Sequence, residues 1–387
     1  MSNSKFKALF SILTAALLCA SALTGCTGQG QQPPVTQDSE TLTQDSETVS
    51  LVPRILDETS SAESTEDTDG SEDTPSEAEE AEASGNYDVG PDYVPTDEDA
   101  FDGEIVGDYI EINSYTGKDT DVKIPKTLGG KPVGSIAPNT FTGNKKITSI
   151  TIPAGIVAFE NQGQGAFMDC TNLKSATIYC KNLTDYFFTN CTSLKTVTLG
   201  DSVKNIGSYA FGGCTSLEEI VIPKEVNTIG DYAFGLYKNS FTGENIKACT
   251  SLKKVVLGEE TRTIGYSSFY GCTALKEINL DEVGYISDYA FLGCTSLPDL
   301  TITESTNGIE KSFGMYAFAN CTGMKSVTFI PEKMELYSDT KAFGYNVVLS
   351  DYEEAKETVR KDFVVYADKF TDGASYAKEN GLTCKAR

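Results

Sequence analysis

The sequence predicts a repeat solenoid with one short parallel β-strand per repeat of about 21–23 residues, closed by a β-hairpin N-terminal cap and an α/β C-terminal cap. Three observations predict it. First, the phrase Ala210-Phe211-Gly212-Gly213-Cys214-Thr215-Ser216-Leu217 returns as Ala290-Phe291-Leu292-Gly293-Cys294-Thr295-Ser296-Leu297, with looser copies between residues 166 and 324. Second, the cysteines that mark its register, Cys170, Cys191, Cys214, Cys249, Cys272, Cys294 and Cys321, are 21, 23, 35, 23, 22 and 27 residues apart. Third, apolar residues follow each cysteine at offsets 3, 6 and 8, as in Leu194, Val197 and Leu199 or Leu217, Ile220 and Ile222. That alternation is a strand with one face buried. A turn at Pro223, Gly200 or Gly258 follows, then a second apolar set such as Val226, Ile229 and Phe234, with Gly230 expected to bend the backbone between them. A unit this short cannot bury its own apolar side, so it must stack on its neighbours.

Leu217-Glu218-Glu219-Ile220-Val221-Ile222-Pro223-Lys224-Glu225-Val226-Asn227-Thr228-Ile229-Gly230-Asp231-Tyr232-Ala233-Phe234 resembles the repeat of the BspA-like leucine-rich-repeat surface proteins position by position. The resemblance runs from about residue 104 to 384. It implies a leucine-rich-repeat fold at a bacterial cell surface and leaves the activity open. Tyr109 to Gly117, followed by Asp121 to Pro125, looks like the opening hairpin of that family. Asn144 replaces the cysteine after Phe141, and no cysteine follows Phe343.

Outside the repeats, residues 1–26 read as a signal peptide, with Lys5 and Lys7 before an apolar run that ends in Leu23-Thr24-Gly25-Cys26. This ending looks like a bacterial lipoprotein cleavage box, so Cys26 is the expected lipidation site and the expected location is the outer side of the bacterial membrane. Residues 27–103 hold 22 acidic residues and one basic residue, Arg54, against a net charge of −25 for the whole chain. Such a segment buries too little apolar surface to fold and reads as a disordered acidic tether, Asp97 to Gly103 included. Residues 104–350 are assigned to the solenoid and 351–387 to the C-terminal cap. In that cap Tyr352–Val359 has helical spacing, Val364–Tyr366 reads as a strand and Ser375–Asn380 as a short helix.

Composition bears on function by exclusion. The chain has no histidine, which removes Ser-His and Cys-His nucleophiles and histidine metal ligands. Glu219, Glu277 and Asp299 occupy equivalent strand positions, but Lys254 falls between the first two, as in an ordinary alternation of surface charge. No catalytic residue, cofactor or metal site is expected. Nucleic acid is disfavoured, because no cluster of Lys and Arg stands out. The ladder cysteines point the same way in successive repeats, which disfavours disulfides between them. They read as small buried thiols whose S–H meets a backbone carbonyl.

Surface is what remains for function. The outward strand positions, among them Thr198, Glu219, Lys254, Glu277, Asn279, Asp299 and Thr301, are expected to form one continuous polar face. They are candidates for contact, although threonine also suits strands for its own sake. Tyr186, Tyr209, Tyr232, Tyr289 and Tyr316 form a stripe two residues before the repeat phenylalanine, read either as rings packed on one another or as a contact surface. Between Phe234 and Cys249 the chain runs through fourteen residues where sister repeats have two. This insertion, with Tyr237, Lys238 and Phe241, is expected to protrude and carry binding contacts. The expected partner is an extracellular protein; the alternative is a glycan, with tyrosine as the stacking residue because tryptophan is absent.

Overall fold

The computed structural model describes residues 88–156, 165–238, 243–306, 308–349 and 356–387. Cys26, Phe241 and the 27–87 portion of the acidic segment lie outside the described residues. Every regular repeat contributes a strand to a parallel wall, but the wall is not the single face the sequence suggests. It comprises three sheets: Asp121–Lys123 with Ser149–Ile152, Ser175–Ile178 and Thr196–Leu199; Glu219–Val221 with Lys254–Val256 and Glu277–Ile278; and Leu300–Ile302 with Ser326–Phe329, Val364–Tyr366 and Thr383–Lys385. The opposite side carries strands that the expectation of one per repeat left out. Asn182–Leu183, Asn205–Ile206, Thr228–Ile229, Thr263–Ile264, Tyr285–Ile286 and Ser312–Phe313 form an unbroken parallel ladder of two-residue strands.

The core between these ladders is a column of aromatic rings. Phe141, Phe167, Phe188, Phe211, Phe234, Phe269, Phe291, Phe318 and Phe343 lie in sequence with ring centroids 4.7–5.7 Å apart. This is near the ~4.8 Å strand spacing, because each ring rides on a backbone stacked by one strand repeat. Each ladder cysteine serves the column. Its Sγ donates to the carbonyl of the preceding repeat's phenylalanine, from Cys170 to Phe141 O at 3.0 Å through Cys214 to Phe188 O at 3.2 Å to Cys321 to Phe291 O at 3.2 Å. Cys191, Cys249, Cys272 and Cys294 repeat the contact at 3.1–3.4 Å. These cysteines are free thiols, as are buried Cys180 and exposed Cys384. Where Asn144 replaces cysteine, its Oδ1 accepts from Lys146 N and Ile147 N instead.

Gly230 serves a different end from the bend expected of it. A Cβ there would lie 2.5 Å from the carbonyl carbon of Gly207 and 2.6 Å from Ser208 N, so the missing side chain lets neighbouring backbones approach.

Both ends differ from the sequence reading. Folded structure begins before residue 104: Tyr93 Oη donates to Ile124 O, Lys123 N donates to Thr96 Oγ1, and Thr96 is buried. Asp97–Gly103, expected in the tether, supplies a short 3-10 turn, Glu98–Ala100, and the start of a strand. That strand, Phe101–Val106, pairs antiparallel with Tyr109–Tyr115, so the hairpin lies one strand earlier than expected and Asp121–Lys123 opens the wall. At the other end, Lys356–Val359 is a strand paired antiparallel with Tyr345–Val348 rather than part of a helix. The cross-strand partners fix this choice where local spacing alone favoured a helix. Val364–Tyr366 is a strand, and the helix runs Asp372–Glu379 with Thr371 Oγ1 accepting from Ala374 N as its N-cap.

Candidate binding faces

Along the wall, Glu219, Lys254 and Glu277 are exposed at one shared register position, while Thr198 and Thr301 are exposed on strands of the other two sheets. Glu219 lies beside Lys254, and Lys254 Nζ stands 3.5 Å from Glu277 Oε2. Two expected contact residues have structural work instead. Asn279 accepts from Leu257 N at 2.7 Å and donates to Leu257 O at 3.0 Å, replacing a strand bond with its side chain. Asp299, though exposed, accepts at Oδ1 from Lys325 N and Ser326 N, which holds its carboxyl below the usual range against the cost of desolvation.

One charged row escaped the sequence reading. The residue after each repeat leucine, or after Met324 in its place, is Lys174, Lys195, Glu218, Lys253, Lys276 and Lys325, all on the surface, with Pro298 breaking the series. Glu218 bridges Lys195 at 3.0 Å and Lys253 at 2.8 Å, and their charged hydrogen bonds hold its carboxyl down to about 2. The signal was present in the fixed offset from leucine.

The described ends of the insertion form a hairpin, and Tyr237 is not the exposed contact expected of it. Tyr237–Lys238 pairs antiparallel with Asn245–Ile246, and Tyr237 is only 6% exposed. Its ring lies 4.4 Å from Tyr209, 6.1 Å from Tyr232 and 6.3 Å from Tyr186. Gly212 makes the seat, since a Cβ there would meet the Tyr237 ring at 2.6 Å. Tyr237 is therefore an internal anchor, unavailable to a partner, while Lys238 is exposed. The ring column crosses the insertion without a break, Phe234 to Phe269 at 5.1 Å.

The tyrosine stripe is continuous, because Tyr266 fills the place left by Ser267. Successive ring centroids from Tyr186 through Tyr209, Tyr232, Tyr266 and Tyr289 to Tyr316 lie 4.6–5.7 Å apart. The backbone at Tyr186, Tyr209, Tyr232, Ser267, Tyr289 and Tyr316 is left-handed, with φ between 50° and 62°. A bulky residue resists that conformation, so ring packing must offset roughly 1 kcal/mol at each tyrosine. The preceding aspartates stiffen the turns: Asp185, Asp231 and Asp288 accept from Ser208 N, Tyr266 N and Met315 N of the next repeat at 2.6–2.8 Å.

Among the described residues no helix is long and apolar enough to cross a membrane, and no three His, Cys, Asp or Glu side chains gather in a metal-holding group.

Among solved structures, the chain resembles a leucine-rich-repeat protein of T. pallidum, at 24% identity over 60% of this chain and 91% of that one, with a TM-score of 0.42. A leucine-rich-repeat protein from Bacteroides ovatus shares 21% identity over 76% of this chain and all of its own, with a TM-score of 0.26. The pneumococcal vaccine antigen PcpA shares 17% identity over 73% of this chain and 95% of its own, also with a TM-score of 0.26. No curated protein matches significantly. The BspA type leucine rich repeat region matches residues 111–242 and 240–350, in six copies. With more than half its length so matched, and with strands, ring column and cysteines repeating in the same register, the chain belongs to the BspA-type leucine-rich-repeat family.

Proposed function

We propose that this is a lipid-anchored cell-surface protein whose repeats bind an extracellular protein in adhesion or host and matrix contact. The observation that carries the reading is the row of exposed, in-register positions Glu219, Lys254 and Glu277, flanked by Thr198 and Thr301: a fixed surface of mixed charge and hydroxyls. The glycan alternative needs open aromatic faces, and Tyr186, Tyr209 and Tyr232 stack theirs on one another, which leaves Tyr266, Tyr285 and Tyr337 as the exposed tyrosine rings among the described residues. In this reading Cys26 carries the lipid, no catalysis is involved, and the acidic segment up to residue 87 spaces the repeats from the membrane.

A screen of the full chain against matrix proteins and a glycan array tests the reading. Capture by a protein, weakened at least tenfold in a Glu219→Lys, Lys254→Glu, Glu277→Lys variant, supports it; exclusive glycan capture overturns it. Membrane fractionation with Cys26→Ala tests the anchor, which requires the protein to leave the membrane fraction.

A further inference from the structure

The wall opens between Glu277–Ile278 and Leu300–Ile302: among the described residues no strand pairing joins them. Two residues set this opening apart from the one between Thr196–Leu199 and Glu219–Val221. In four sister repeats the residue after the apolar anchor donates its N–H to a carbonyl across the stack, Lys174 N to Thr148 O at 2.8 Å, Lys195 N to Lys174 O at 2.9 Å, Lys253 N to Glu218 O at 2.7 Å and Lys276 N to Lys253 O at 2.9 Å. Pro298 holds that position and has no N–H to give. On the facing strand, Asn279 turns its amide to the Leu257 backbone, drawing the strand end towards the earlier repeat.

The gap is propped open rather than collapsed. The carbonyls of Ile152, Ile178 and Ile302 accept from Tyr179 N, Gly200 N and Ile330 N of the following repeat. The equivalent carbonyl, Leu280 O, instead accepts at 2.9 Å from Nζ of Lys311, which also donates to Val283 O at 2.7 Å and to Asp281 O. Lys311 is only 5% exposed, so a buried ammonium occupies the place of the missing strand bond. The result is a cavity of about 190 Å³ floored by Ile278, Leu280 and Leu300, which are half-buried where Ile220 and Val255 in sister repeats are fully buried. Asn279, Asp281, Val283 and Thr303 also line an adjoining hollow of about 500 Å³ whose walls include Glu259, Asp281, Glu282 and Glu304. Three cations stand close: Lys311 lines the cavity but spends its Nζ on three carbonyls, Lys224 pairs with Glu259 at 3.2 Å, and Arg262 directs Nη1 to the Glu259 and Glu282 carbonyls. Carboxylates dominate the rim.

We propose that this seam is a docking groove for an extended, basic segment of a protein partner, a central apolar side chain seated on Ile278, Leu280 and Leu300 and flanking Lys or Arg residues meeting Glu304 and Glu259. Its main chain pairs with the strand edges left open by Pro298. The proposal rests on the protein-binding reading above and gives that partner a chemistry.

The probe is the biotinylated peptide acetyl-Lys-Val-Leu-Val-Lys-amide, with acetyl-Glu-Val-Leu-Val-Glu-amide as its control, measured against the full chain. Expected are binding of the basic peptide alone, at least tenfold weakening in Glu304→Lys, and similar loss in Thr301→Trp, which fills the mouth. Both positions are exposed, so unchanged thermal unfolding certifies the fold. No binding by the unaltered chain, equal binding of the two peptides, or affinity unchanged in both variants overturns the proposal. A protein captured in the extracellular screen equally well by both variants removes the groove and leaves the protein-binding reading standing. Failure of that screen, with the peptide results as expected, removes the broader reading alone.

Discussion

The two sides of the repeat stack tolerate irregularity very differently. The two-residue strands and the phenylalanine column run unbroken past a twelve-residue excess and a missing cysteine, whereas the wall of longer strands splits into three sheets. The column is held by side-chain packing, and a ring remains a ring whatever its neighbours do. The wall is held by main-chain N–H groups in strict succession; Pro298 withdraws one, and a second break falls between Thr196–Leu199 and Glu219–Val221. Both sides pass the insertion, since Glu219–Val221 pairs with Lys254–Val256 across it, so the wall breaks where a residue in the strand register fails to pair and not where the chain is longer.

The largest expected effect strikes the column as a whole. Burial pushes the thiols of Cys191, Cys214, Cys249, Cys272 and Cys294 well up from 9.0, and those of Cys180 and Cys321 up to about 12. Folding raises these pKa values, so the stabilisation is whole below about pH 9 and is lost as pH rises towards 12. By pH 10 each thiol withdraws about 1.4 kcal/mol, and a steep fall in denaturant midpoint between pH 9 and 11 is expected. An unchanged midpoint would mean that the thiols reach solvent without unfolding.

A pair of substitutions sharpens the contrast. Phe234→Ala removes a buried ring between two stacked neighbours and should cost ~3–5 kcal/mol, while Ile278→Ala at the half-exposed seam should cost ~1–2 kcal/mol by denaturant titration. Equal losses would erase the distinction between column and wall. Lys311→Met should cost about 2–3 kcal/mol by leaving three carbonyls without their charged donor. It should also raise hydrogen exchange at residues 278–283; a stabilised protein would show that the ammonium is no prop. Gly212→Leu, at ~1–3 kcal/mol, should displace the Tyr237 ring and raise exchange at Tyr237, Lys238, Asn245 and Ile246 without disturbing Phe234–Phe269. Exchange spreading into the column would show that the insertion is coupled to it.

The repeat was legible because its core residues recur. Phenylalanine, cysteine and leucine return at fixed offsets, and the cysteine-to-carbonyl bond follows from placing a weak donor next to a stacked backbone. The candidate site was far less legible. Tyr237 read as an exposed contact because an insertion into a regular repeat lies outside its period; Gly212, 25 positions earlier in the chain, makes room for it, since a Cβ there would lie 2.6 Å from the ring. Asn279 and Asp299 read as outward side chains because strand alternation says where a side chain starts, not which backbone group it turns back to meet.

By itself, the sequence determined that this chain is a stack, with which residues inside and at what period, since burying a short apolar unit has one solution when its neighbours are copies. The tertiary structure alone decided where the stack is imperfect. A proline's missing N–H matters only against the strand that would have received it, and a lysine becomes a prop only where three carbonyls from another repeat converge on it. Such contacts lie about thirty residues apart in the chain, beyond the reach of any local pattern.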